Sequence, residues 1–371
     1  MKKQLISMFF FLCFASFLLA QTPIDSEKAA KDAVQRLEAA LGGINDSARV
    51  TQGRSQPRWV NNPYSAYSKD RFFAVVGSAS NRNHAETRAF ANLIAIFGQS
   101  IRSEFTVTSM YTEALNNGTV SVSDNTRIRD RISMAAAMDN LIGAEIGNVW
   151  VDSRRGTVYA IAFMDKTKTI SIYTDLITIN NRNIELLTAM SPGEKNTFDA
   201  YARYRLAAQI AGINTNYATV VSQAGGSVAS INLRNANTFN LEAENIWRNI
   251  TVTVRVTNDR ANRVQDAFAR VLSSEGLRTM GSNPAYTLDI RLDVNEVSFP
   301  GNNFIFSRME CSANLIENLS GASLLPFNFN LREGHATYAN AEVAVFRSAE
   351  GIIAESYPAV LREYLESLVP K

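Results

Sequence analysis

Tyr286-Thr287-Leu288-Asp289-Ile290-Arg291-Leu292-Asp293-Val294 places an apolar residue at every second position and a polar one between. A period of two is that of a strand with one face in a core and the other in water. Ile250, Val252, Val254 and Val256 repeat the pattern upstream, alternating with Thr and Arg. Between the two strands, Arg260 to Glu275 carries Val264, Ala267, Phe268, Val271 and Leu272 on one helical face, and Gly276 ends it. Downstream, Pro300-Gly301-Asn302-Asn303 reads as a turn, Phe304 to Leu315 as the returning strand and Leu324 to Leu331 as a third. His335 to Leu368 is mostly helical, with Pro358 as a kink position. Strand, helix, antiparallel strands, helix is an α+β order.

The same theme stands in the N-terminal half. Phe72 to Val76 is an apolar run stopped by Gly77, a buried strand. Asn83 to Ser103 follows as a helix with Ala89, Leu93, Ile96, Phe97 and Ile101 on its core face. Strands are expected at Phe105–Thr108 and Val120–Ser123 around an Asn116-Asn117-Gly118 turn, with Ile128–Leu141 ambiguous but strand-like. Ala144–Val151 and Val158–Phe163 form a hairpin about Arg154-Arg155-Gly156, and Lys166–Ile179 is a helix packing back. The expected order is β-α-β-β-β-β-α. No repeat of sequence links the two halves, only similar architecture.

Residues 26–41 read as a short helix ended by Gly42-Gly43, and Asn45 to Pro57 as a polar loop. Residues 180–224 look helical, broken at Ser191-Pro192-Gly193-Glu194, where Pro suits the first helical position. Gly225-Gly226-Ser227 and Asn232–Asn240 read as linker or exposed loop. The expected organisation is a leader over 1–20, a helix and linker over 21–56, an α+β domain over 57–179, a helical connector and linker over 180–232, and a second α+β domain over 233–371. Each domain is a small, mostly antiparallel sheet packed by helices; a chain of 371 residues has room for about two.

The leader is read from Lys2 and Lys3, the apolar run Leu5–Leu19, and Ala20 before Gln21. The run is short for a bilayer span, which takes roughly 20 apolar residues. Cleavage is favoured over a retained anchor, although Leu18 stands where a small residue is preferred. Cys13 follows Leu12 in mid-run, so a lipid-attachment site is not expected. The expected location is the periplasm or the periplasmic face of the outer membrane. The 37 Lys and Arg stand against 35 Asp and Glu, and loss of Lys2 and Lys3 with the leader makes the counts equal. Nucleic acid is therefore not an expected partner. Cys311 is then the single cysteine; its place in a strand favours a buried, inert thiol over a bridge between chains.

No catalytic constellation is legible. His84 and His335 are the only histidines, far apart, and a metal site usually needs three or four ligands. No metal or cofactor is expected. Gly77-Ser78-Ala79-Ser80 lies between strand and helix but lacks the G-x-S-x-G spacing of a nucleophile elbow. The plain reading is a tight turn at Gly77 with Ser80 capping the helix. Asp289, Arg291 and Asp293 share a strand's outer face, where cross-strand charge pairs are ordinary.

Trp59-Val60 and Pro63, then Val76-Gly77-Ser78-Ala79, the Ala-rich helix around Glu86–Arg102, Gly143-Ala144-Glu145-Ile146, Trp150 and Val158-Tyr159-Ala160 together resemble one envelope family. Residues 59–179 are similar to the LPP-twenty lipoprotein domain, itself similar to the N-terminal domain of flagellar assembly protein T. The resemblance implies a small α+β domain at the outer membrane or in the periplasm, without catalytic residues. Gly77 and Gly143 fit turns. Trp59, Trp150 and Tyr159 are large amphipathic groups that either fill core edges or contact a partner. The expected function is a non-enzymatic structural or assembly role in the envelope, including flagellum-associated assembly. It would work through contacts with envelope proteins, self-association or peripheral outer-membrane association, and no ligand is identified. The alternatives are a periplasmic binding protein for a small molecule or lipid, or a chaperone.

Overall fold

The computed structural model describes residues 23–42, 48–97, 141–281, 283–301 and 303–368. The chain folds as two four-stranded, mostly antiparallel sheets with helices, an α+β architecture. The expected strands at 105–108 and 120–123, their turn, and the span 128–140 lie outside the described residues.

In the second half, β5 (Val252–Thr257) runs parallel to β6 (Tyr286–Ser298), and the crossover between them is α7 (Arg263–Ser274). β7 (Ile305–Glu317) and β8 (Ser323–His335) complete an antiparallel meander in the order β5-β6-β7-β8. The alternation works as expected: Leu288, Ile290, Leu292, Met309, Cys311, Ala313 and Leu315 are buried on one face. That face is closed by Val264, Phe268 and Leu272 of α7 and by Val345, Ala349, Ile353, Tyr357 and Leu361 of α8 (Tyr338–Leu368). Pro358 sits inside α8. Ion pairs Arg263–Glu350 (2.5 Å), Arg260–Glu342 (2.8 Å) and Arg362–Glu275 (2.5 Å) join the α7 region to α8. Gly276, at φ +85°, ends α7 as the sequence implies.

The first sheet also has four strands. β1 (Arg49–Gly53) pairs parallel with β3 (Glu145–Asp152), β3 antiparallel with β4 (Val158–Asp165), and β4 antiparallel with β2 (Phe72–Ala79). The expected loop 45–57 thus contains a strand. Arg-Val-Thr-Gln-Gly has no apolar alternation, and its extended form comes from pairing with β3. The β3–β4 turn closes where expected. Gly156 adopts φ +65°, and the Asp152 carboxylate accepts the Arg154 and Arg155 N–H groups.

Both faces of this sheet are covered. Val158, Ala160, Ala162 and Met164 of β4 face the main core, together with α3 (Arg82–Phe97). Tyr159, Ile161 and Phe163 face the other side, under the short helix α2 (Arg58–Asn61). On β3 an irregularity between Ile146 and Val149 restores the alternation. It centres on Gly147, over which Tyr67 lies, stacked on Phe163 at 4.2 Å; a Cβ at 147 would be 2.8 Å from Tyr67 Cζ. Gly77 is not in a turn: β2 runs through it to Ala79, and α3 crosses directly above. The cap of α3 is Asn81 and not Ser80, its side-chain oxygen accepting the His84 N–H at 2.9 Å. Gly143 does occupy a turn, at φ +88°.

The connector is a spine shared by both domains. α4 (Lys166–Thr188) and α5 (Phe198–Gln223) pack along each other. α5 contributes Phe198 and Ala200 to the second core, Leu206, Ala207, Ile210 and Ala211 to a middle cluster, and Ile213, Tyr217, Val220 and Val221 to the first core. Asn180 donates to Asn214 at 2.8 Å across the α4–α5 contact. The expected helix start at Ser191-Pro192 is a turn closed by Glu194, which accepts the Ser191 N–H and hydroxyl. The helix begins at Phe198, with Thr197 as its cap. The 232–240 stretch is no free linker: α6 (Ala236–Asn249) starts within it, and Asn181 and Glu185 of α4 hold Asn232 and Arg234. α1 (Pro23–Gly42) lies antiparallel on α4, through Arg36–Asp175 at 2.7 Å and Arg182–Ser26 at 3.1 Å.

Asp165 couples β4 to α4. Its carboxylate caps the helix, accepting the Thr167 and Lys168 N–H groups, and pairs with Arg71 at 2.9 Å. Burial pushes its pKa up, but the Lys168 N–H, the Arg71 guanidinium and the Thr167 N–H outweigh burial and hold it below the usual aspartate value. Asp165→Ala should cost about 1–2 kcal/mol at pH 7. The folded pKa is depressed, so this contribution is complete above the unfolded value of about 3.9 and is lost as pH falls through the folded value. Urea unfolding of both proteins from pH 7 down to pH 3 should show the gap between them narrowing with acid. A gap that widens would refute the assignment.

Candidate interaction surfaces

The aromatic residues singled out from the sequence come together on the α2 side of the first sheet. Trp59 is 8% exposed and Trp150 3%. Trp150 and Tyr159 sit opposite each other in register and stack at 5.5 Å, with Tyr159 half-buried. Together with Ile161 and Ala74 they make a small separate core on that side of the first sheet. Tyr67 beside them has its phenol pushed up by burial and by Glu145. The Glu145 carboxyl is pushed up by burial, with Asp165 adding to the rise and Lys168 opposing it.

The expected histidines do not meet. His84 stands in the first turn of α3 beside the Asn81 side chain, and His335 ends β8, its Nδ1 accepting the Ala336 N–H. Among the described residues no group of three or more His, Cys, Asp or Glu could hold a metal ion. Ser78 lies in β2 opposite Tyr159, and its carbonyl accepts from Arg88. Cys311 is 3% exposed on the core face of β7, where burial, and secondarily Asp259, push its thiol up to about 12. At neutral pH it should stay unalkylated by iodoacetamide in the folded protein and react fully in denaturant. Rapid labelling of the native chain would refute that placement.

The outer face of the second sheet is a broad polar surface. Moving towards the β6–β7 hairpin, its rows are Asp289/Asn314/Pro326, Arg291/Ser312/Asn328, Asp293/Glu310/Asn330 and Asn295/Arg308/Arg332. The expected outer-face placement of Asp289, Arg291 and Asp293 holds, but the register sets acid against acid at Asp293 and Glu310. Like charges directly opposite are unfavourable. Here Arg308, two residues along β7, pairs with Glu310 at 2.6 Å, and Asn295 donates to Asp293 at 2.9 Å. Ser312 donates to Asn328 (2.9 Å), and Ser323 to Asn314 (2.8 Å). Arg291, Asp293, Glu310, Ser312, Asn328 and Asn330 line a shallow depression of about 600 Å³. β8 borders this face as an edge strand of 13 residues. From the sequence, the alternation of β6 foretold the wet face; the register that builds the rows could not be read.

No family model matches the chain, and no curated protein matches it. Among solved structures it is similar to a secreted protein of Helicobacter pylori, at 12% identity and a TM-score of 0.39 over 76% of this chain and 96% of that one. It is also similar to a minor lipoprotein of Acinetobacter baumannii (12% identity, TM-score 0.25, 34% of this chain and 98% of that one). A third is the rare lipoprotein B of Shewanella oneidensis (11% identity, TM-score 0.22, 32% and 95%).

Proposed function

We propose that this chain is an exported cell-envelope protein that works by protein–protein contact and not by catalysis. The observation that carries the reading is the second sheet. Its inner face is closed by α7 and α8, while its outer polar face and the β8 edge have no covering element among the described residues. An edge of 13 residues offers backbone donors and acceptors to an added strand, and the outer face offers side chains that set its register. Export is supported by the Lys2-Lys3 and Leu5–Leu19 leader pattern. The LPP-twenty-like reading of residues 59–179 and a place in flagellar assembly belong to the same proposal.

The test is site-specific photocrosslinking in cells, with the probe at Asn328, at Asn330, or at exposed Lys195 as a control, followed by envelope fractionation. The expected result is a discrete adduct in the envelope fraction from the sheet positions and none from Lys195. A soluble periplasmic monomer without adducts would overturn the reading in favour of ligand binding. Intact motility and flagellar basal bodies in a deletion strain would remove the flagellar variant.

A further inference from the structure

The alternation of the second sheet changes face near its hairpin. Up to Val294, Met309 and Leu331 the apolar residues lie on the α8 side. One row further, Glu296, Ser307 and Glu333 take that side; Ser307 is fully buried, and the Glu333 carboxylate accepts the Ser348 hydroxyl of α8 at 2.6 Å. On the outer side the next row is Val297, Phe306 and Gly334. Phe306 lies on Gly334, where a Cβ would come within 2.5 Å of its ring, and meets Phe299 at 5.2 Å. Phe299 is 39% exposed and Phe304 54% exposed, flanking the turn. A Cβ at Gly301 would meet nothing within 4 Å. The Arg332 guanidinium lies 4.8 Å from the Phe299 ring centre and 5.3 Å from that of Phe306. No ion pair to Arg332 occurs among the described residues.

We propose that the β6–β7 hairpin tip docks peripherally on a phospholipid surface, with Phe299 and Phe304 in the headgroup–acyl boundary and Arg332 at the level of the phosphates. Two exposed aromatic rings flanking a hairpin turn suit a yielding bilayer better than a protein groove. An arginine held against aromatic rings, with no carboxylate partner among the described residues, is complementary to lipid phosphate. This docking goes beyond the contact function above, because it needs no protein partner.

Flotation of the mature full chain with mixed phosphatidylethanolamine–phosphatidylglycerol vesicles tests it. The parent should float. A Phe299→Ser/Phe304→Ser double variant should partition roughly tenfold or more weakly. Arg332→Gln should bind less and lose most of the salt dependence of the parent. A fluorophore on Asn303→Cys keeps the test independent of how the double variant folds, because Cys311 is buried; its emission should shift to the blue on adding vesicles. A parent that does not float, a double variant that floats equally, or an unshifted fluorophore overturns the proposal. So does a concentration-dependent dimer that the double variant loses while the parent ignores vesicles, since a second copy would then cover the tip.

Discussion

Gly77→Ala is expected to destabilise the first domain by about 3 kcal/mol, the top of the usual range for overpacking. Gly77 lies in β2 opposite Ala160, at the point where α3 crosses the strand. A Cβ there would strike the Ala89 backbone nitrogen and would stand 2.5 Å from the Ala85 carbonyl oxygen and 2.7 Å from the Arg88 carbonyl carbon. These are backbone atoms, so no rotamer change relieves the contact; the helix must lift. Ala85 and Ala89 are fully buried small residues that let α3 approach, and lifting it would open the contacts of Leu93 and Phe97 with the sheet. Urea unfolding should show a lower midpoint, and hydrogen exchange should quicken in α3 and β2. Gly193→Ala, where a Cβ meets nothing within 4 Å, is the control and should stay within about 0.5 kcal/mol of the parent. An unchanged midpoint for Gly77→Ala would mean that the close crossing is wrong.

Phe198→Ala should cost about 3–5 kcal/mol and separate the unfolding of the two halves. Phe198 is 1% exposed at the first turn of α5, stacked on Tyr286 at 4.3 Å and 5.9 Å from the Trp247 ring. Its N–H donates to the Tyr286 hydroxyl at 2.8 Å, a buried bond between the spine and the second sheet. Truncation leaves a cavity where α5 enters the second core, while Tyr217 and Val221 near its other end keep their places in the first. The three tryptophans divide usefully. Trp59 and Trp150 report on the first sheet and Trp247 on the second. With Trp247 as the only tryptophan retained, its transition in the variant should precede the loss of helix signal, whereas the two coincide in the parent. Tyr286→Phe keeps the stack and removes only the hydroxyl, and should cost about 1–3 kcal/mol by leaving the Phe198 N–H unpaired. One coincident transition in Phe198→Ala, with little loss of stability, would refute the shared spine.

The amino-acid sequence by itself determined the strands and helices whose apolar residues repeat with a clean period. These are β5 to β8, α7, α8 and the β3–β4 hairpin, and from them the α+β class. It also determined that the outer face of β6 is wet and that Cys311 lies within a strand. Local periodicity is enough there because each element exposes one face and buries the other.

Only the tertiary structure decided the rest. β1 has no pattern of its own and is a strand because β3 pairs with it. Gly77 looked like a stop and is a crossing point, since what it must accommodate is a helix backbone eight or more residues further along the chain. The Asn-rich stretch before α6 looked like a linker, yet Glu185 and Asn181 hold it against α4. The aromatic tip of the β6–β7 hairpin could not be seen either, because the side that Phe306 takes, with Phe299 against it, depends on register across three strands. In each case the deciding contact joins residues distant in sequence, and a local pattern carries no information about a partner that only folding brings near.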